Sequence, residues 1–185
     1  MKSNKKLFRS IQGMTVAAML VAMSVVIGIF CKTYLNFGMG LFRITFENLP
    51  VILSGILYGP IVGAIVGVAS DLVSYLLSPQ IYPPNLVVTV GAAIIGAVSG
   101  IVSRFIIKKK GKRQIILSGV LAHVTGSMIV KTIGLYQFYG ILVLWRIPLY
   151  LVIASFEILI ICLLLDRASF RRAVGYVIGE KNELP

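Results

Sequence analysis

Between Ile11 and Phe30 the chain runs for twenty residues without a charged side chain. A segment of that length and apolarity matches the hydrocarbon core of a bilayer. It crosses as a helix because a helix satisfies its own peptide groups. Lys2, Lys5, Lys6 and Arg9 precede it, as they would a signal peptide. The apolar run is too long for a signal sequence, and no small-x-small cleavage site follows. Cys31 is preceded by Ile29 and Phe30, too bulky an approach for lipoprotein processing. We therefore read this run as the first of six spans, at about 11–30, 46–58, 60–77, 85–107, 115–136 and 145–165. Pro60 opens the third, where a helix tolerates a missing N–H. Pro79, Pro83 and Pro84 mark a loop, Lys108 to Arg113 a charged turn, and 167–178 a basic amphipathic tail helix. The expected fold is an all-α integral membrane protein, a single membrane domain over 1–185 built as one bundle of six transmembrane helices.

Charge sets the expected orientation. The chain is 58% hydrophobic, yet 18 Lys and Arg against 6 Asp and Glu give it a net charge of +12. A soluble nucleic-acid binder would be basic but also polar, so nucleic acid is not the expected partner and the lipid bilayer is. Two cysteines and 18 glycines without a period exclude a disulfide-stapled or collagenous domain. If both termini are cytoplasmic, fourteen cations fall inside, and only Lys32, Arg43, Lys131 and Arg146 fall in the outer half. The positive-inside rule selects that arrangement. Cys31 and Cys162 then lie near opposite faces and should not pair.

Ionisable side chains within spans are costly in hydrocarbon and are candidates for function. Glu47, Asp71, Glu157 and His123 are of this kind. At 1.5 Å per residue, Asp71 lies about 16 Å from Pro60, and Glu157 about 16 Å from Arg146. Two acids near mid-depth on different helices suggest a shared polar cavity. Asp71, Ser74, Tyr75 and Ser78 fall on one helical face, with Gly59, Gly63 and Gly67 below them. Small residues let helices approach closely. The third span therefore reads as packed tight on its inner half and polar on its outer half. The fifth carries a stripe of His123, Ser127 and Gly134, with Lys131 at its edge. Structural alternatives stand beside these readings. Buried acids can pair with cations merely to hold a bundle. His123 can serve as an interhelical hydrogen-bonding residue. Lys32 can snorkel to the interface, and Glu47 can cap the second helix. Ala18 and Ala22 form a small-xxx-small pair, suited to internal packing or to docking another membrane helix.

No P-loop, zincin or nucleophile-elbow pattern occurs, and one His with two distant Cys makes no metal set. The chain is expected to be no enzyme, with no catalytic residue, metal or cofactor of its own.

The string Phe42-Arg43-Ile44-Thr45-Phe46-Glu47-Asn48-Leu49-Pro50 is followed by Leu57-Tyr58-Gly59-Pro60, Gly67 to Asp71, Tyr75-Leu76-Leu77, and then Pro79, Tyr82 and Pro83. It resembles the substrate-binding subunits (S components) of energy-coupling factor (ECF) vitamin transporters, in their folate-specific branch. Asn85 departs from the pattern, standing where a small residue is usual. The resemblance implies a six-helix capture subunit in the bacterial cytoplasmic membrane. It would work with a transmembrane coupling subunit and two ATP-binding-cassette ATPases, which use the ATP. Ala18 and Ala22 stand where the family's AxxxA motif contacts the coupling subunit.

Folate chemistry suits the residues. A carboxylate such as Asp71 or Glu157 binds a pterin edge bidentately. Tyr75, Tyr82, Phe46 or Trp145 stack on its rings. Arg43, Lys131 or Arg146 meet its glutamate carboxylates. Glu47 and His123 complete the candidate set. Three alternatives remain: capture of thiamine, riboflavin or pantothenate; a self-sufficient proton-coupled transporter using Asp71, Glu157 and His123 as a relay; and a structural membrane subunit with no ligand.

Overall fold

The computed structural model describes residues 11–37, 42–77, 85–106, 111–167 and 170. Tyr82, the three loop prolines and nearly all of the expected tail helix lie outside the described residues. Among the described residues the regular structure is helical apart from one two-stranded hairpin. Helix α1 covers Ile11–Tyr34, α2 Asn48–Tyr58, α3 Pro60–Leu77 and α4 Leu86–Ile101, which continues as a π-helical turn through Val102–Ile106. Helix α5, Lys112–Ala122, runs into a π-helical stretch, His123–Lys131, and then α6, Thr132–Tyr139. A 3-10 segment, Gly140–Trp145, leads to α7, Arg146–Asp166.

Helix α1 runs past the expected end at Phe30 because Lys32 finds partners inside the fold. Its amine donates to the Ser74 hydroxyl at 2.7 Å and the Ser74 carbonyl at 3.3 Å. Strand β1, Asn36–Phe37, then pairs antiparallel with β2, Phe42–Arg43, in the register Asn36 to Arg43. This segment was expected to be a plain connection. Two-residue strands are too short to leave a periodic signal.

Among the described residues, four apolar helical segments are long enough to cross a membrane: Gly13–Tyr34, Pro60–Leu77, Leu86–Ile106 and Lys112–Asp166. The last has 55 residues, about 80 Å if straight. It folds back instead, because Lys112 and Asp166 at its two ends form a 2.8 Å ion pair. The break falls at Gly140, whose φ of +54° favours glycine. Helix α2 is only 11 residues long, and nine of these are buried. It is an inner helix, and its Ile52 and Leu53 meet Val66, Ile95 and Ile161 in the core. Large apolar side chains such as Met19, Val26, Leu76, Phe105 and Phe156 cover the outside, where lipid takes the place of water.

The tightest seam is α3 on α4. A Cβ on Gly63 would collide with the Gly96 carbonyl, one on Gly67 with the Ala92 carbonyl, and one on Gly100 with the backbone of Pro60. Without side chains at these points the two backbones touch, which is how helices gain dispersion contact in lipid. At the same end, Gly59 turns the chain between α2 and α3 with φ +96°. The Arg104 guanidinium lies against it, and Nη2 donates to the Leu57 carbonyl at 3.5 Å. This end of the bundle is filled.

Candidate substrate-binding site

The opposite end of the α3–α4 seam opens into a small polar cavity of about 10 Å³, room for about one water molecule. Helix α1 supplies Ser24, the start of α2 supplies Glu47, Asn48 and Val51, and α3 supplies Gly67, Ser70, Asp71 and Ser74. Ala92 of α4 and Lys131 at the end of the π stretch close it. The wall is polar because several elements end here. The hairpin delivers the chain to the N-terminus of α2, and the outer half of α3 carries its hydroxyls and carboxylate.

Lys131 is 6% exposed. Its ammonium donates to Asn48 Oδ1 at 3.1 Å and lies 3.6 Å from Glu47 Oε1. Ser24 donates its hydroxyl to the Glu47 carbonyl at 2.6 Å, fixing α1 to the same turn. Across the cavity, Asp71 Oδ2 accepts the Thr89 hydroxyl at 2.6 Å. The Ser70 hydroxyl is buried and has no protein partner among the described residues. Gly28 brings α1 close, since a Cβ there would lie 3.0 Å from Glu47 Oε2 and 3.3 Å from Ser74 Oγ. Two carboxylates, one ammonium, one amide and several hydroxyls therefore converge on one small space. Such a set suits a compact planar molecule with hydrogen-bond donors and acceptors on the same edge.

Glu47, Asp71 and Lys131 are thus brought together. Glu47 stands at the N-cap of α2 without making a side-chain cap; its carboxylate faces Lys131 instead. Phe46 and Tyr75 are half-buried beside the cavity and do not line it. Arg43 lies in β2.

The two acids expected to share the cavity do not. Glu157 and His123 are 0% and 1% exposed, and their Oε2 and Nε2 lie 2.6 Å apart. The second Glu157 oxygen accepts the Leu49 N–H at 3.1 Å. Ser127 Oγ lies 3.3 Å from His123 Nδ1. The pair is consumed by its own partners and lies off the cavity wall. A three-member relay with Asp71 has no counterpart, because Asp71 is engaged by Thr89. Trp145 is 67% exposed and Arg146 3%, the latter with its guanidinium 5.3 Å from the Tyr150 ring centre; neither lines the cavity. Ala18 and Ala22 lie on the outward face of α1.

Sequence reasoning missed Ser24, Asn48 and Ser70. A lone serine in an apolar helix carries no signal by itself, and Asn48 reads as a capping residue. Snorkelling is one of the two readings the sequence allows for Lys32; its contact with Ser74 ties α1 to α3 beside the cavity. Among the described residues no group of three His, Cys, Asp or Glu side chains is placed to hold a metal ion.

An apolar helical bundle with one polar cavity at one end defines the class: a membrane protein that holds a small hydrogen-bonding ligand. The family is narrower. The model of the family described as "ECF transporter, substrate-specific component" matches residues 12–179, and the chain belongs to that family. Its members are the substrate-binding parts of membrane transporters and not enzymes. Among curated proteins no match is found. Among solved structures, the fold is similar to one described as "Crystal structure of FolT bound with folic acid". The TM-score is 0.60 and the identity 23%, over 95% of this chain and 97% of that one.

Proposed function

We propose that the chain is the folate-capture subunit of an ECF-type vitamin importer in the bacterial cytoplasmic membrane. The observation that carries this reading is the cavity, where Glu47 and Asp71 face each other across a space that also holds Lys131, Asn48 and an unpartnered Ser70. A pterin head offers adjacent N–H donors to a carboxylate and ring acceptors to an ammonium or hydroxyl, so its edge is complementary to this wall. Phe46 and Tyr75 stand close enough in the chain to add ring contacts, and Arg43 in the adjoining hairpin meets the glutamate end. The likeness in fold to a structure with bound folic acid supports the choice among vitamins.

In this reading the chain is a six-helix bundle with both termini cytoplasmic; the fold-back of Lys112–Asp166 and the inner helix α2 support the count. In that orientation Arg104, Lys112 and Arg113 lie at the cytoplasmic end and the cavity opens outward. The outward face of α1, centred on Ala18 and Ala22, docks on the coupling subunit, and two ATPases drive release. The test is folate uptake in vesicles. Uptake should require the coupling subunit, the ATPases and ATP, and Ala22→Trp should abolish it while leaving folate binding intact. Uptake by this chain alone under a proton gradient would overturn the reading.

A further inference from the structure

Two of the most deeply buried ionisable groups among the described residues, Glu157 and His123, take no part in the cavity. Removing a carboxylate and an imidazole from solvent is costly unless each polar atom is engaged. Here they stand in series: Ser127 Oγ lies 3.3 Å from His123 Nδ1, His123 Nε2 lies 2.6 Å from Glu157 Oε2 as an ion pair without hydrogen-bond angles, and Glu157 Oε1 accepts the Leu49 N–H. The series ends on the first turn of α2, whose leading N–H groups have no acceptor within the helix. The N-cap residue Glu47 leaves them uncapped, because its carboxylate faces Lys131. A carboxylate 108 positions further along the chain supplies a second acceptor for the Leu49 N–H, beside the Phe46 carbonyl at 3.2 Å. The residues just before Leu49 are Glu47 and Asn48, both on the cavity wall.

We propose that Glu157, backed by His123, is a positioning residue that fixes the first turn of α2 and so sets Glu47 and Asn48 for the ligand. Lys131 holds the same turn from the cavity side, through Asn48. Both arms spring from one element, the π stretch His123–Lys131. One arm reaches the backbone of α2 through α7, and the other reaches its side chains directly. The proposal rests on the folate-capture reading and deepens it.

Two substitutions separate reach from charge. Glu157→Gln keeps the side-chain length, an acceptor for Leu49 and a polar group against His123, but loses the charge. Glu157→Asp keeps the charge and is one methylene too short to serve both partners. Folate is titrated on the purified full chain carrying each, alone and with Asn48→Ala. We expect Glu157→Gln to bind within about 3-fold of the parent and Glu157→Asp about 10-fold more weakly, one hydrogen bond's worth. The Glu157→Asp loss should largely vanish in the Asn48→Ala background and persist in an Asp71→Asn background. The reverse order, Asp binding well and Gln poorly, would mean that the charge itself acts and would overturn the proposal. So would an Asp loss that adds in full to Asn48→Ala, the mark of general loosening.

If the parent chain binds no folate, the functional reading fails. The positioning claim is then decided by hydrogen exchange of the free protein. The first-turn amides of α2 should exchange faster in Glu157→Asp than in Glu157→Gln, with the α3–α4 seam unchanged in both; equal exchange in the two variants would overturn it.

Discussion

Lys131 is the residue on which the cavity turns. It is nearly buried, and its one ammonium serves Asn48 and faces Glu47. Lys131→Met would keep the stem and remove the charge, leaving Glu47 without its counter-ion and Asn48 without its donor. Hydrogen bonds to charged groups contribute about 1.5–3 kcal/mol, so folate affinity should fall roughly 10- to 100-fold. Isothermal titration of the purified variant measures it, and an affinity within 3-fold of the parent would remove Lys131 from the site. At this scale the sequence was only partly legible. Glu47, Asp71, Lys131, His123 and Glu157 all stand out, because any ionisable group within an apolar run does. Nothing in the sequence separates an acid that lines a cavity from one satisfied by a buried imidazole. Asp71 and Glu157 look alike as letters and as depths. They differ only in what the neighbouring helices bring to them.

Among the elements, the α3–α4 seam carries the most specific demand. Gly96 meets the backbone of Gly63 so closely that a methyl group has no room, and the atoms it would strike are main-chain ones. Gly96→Ala should therefore force the helices apart, at a cost of about 1–3 kcal/mol or more. It should lower the thermal midpoint of the detergent-solubilised protein by several degrees. Gly111→Ala is the control. Its Cβ would meet nothing within 4 Å, and as the N-cap of α5 it loses only a capping preference of at most about 1 kcal/mol, so the midpoint should fall far less than in Gly96→Ala. The Gly59, Gly63 and Gly67 spacing announced a close helix contact from sequence alone, because small residues every four positions form a continuous groove. The π-helical widening at His123–Lys131 had no such signal. This stretch packs closely on α4, where Gly126 lies against Ile95. The hairpin Asn36–Phe37 with Phe42–Arg43 was equally silent, and the extra turn of α1 depended on Ser74, forty-two residues away.

For the whole molecule, the distribution of charge does more than its total. Most of the +12 lies in segments assigned to one face, which the six-helix reading makes cytoplasmic. Few cations remain at the other end, where the cavity is. A membrane-impermeant maleimide reads this directly in a background without Cys31 and Cys162. Tyr34→Cys, at the cavity end of α1 and exposed, should label in intact cells. Gly111→Cys should label only after permeabilisation, and the reverse pattern would invert the topology. The fold class was readable because long apolar runs admit few solutions in a bilayer. The fold-back at Gly140 was readable as a gap between spans. The inner position of α2 was not, since its length alone does not say which helices enclose it. The central claim is that this bundle exists to hold folate in the Glu47–Asp71–Lys131 cavity. Its most direct measurement is an equilibrium titration of the purified chain against folate, thiamine, riboflavin and pantothenate. The account predicts saturable one-to-one binding of folate, weakened by Asp71→Asn, and no comparable binding of the other three. Absence of folate binding, tighter binding of another vitamin, or folate binding indifferent to Asp71→Asn would contradict it.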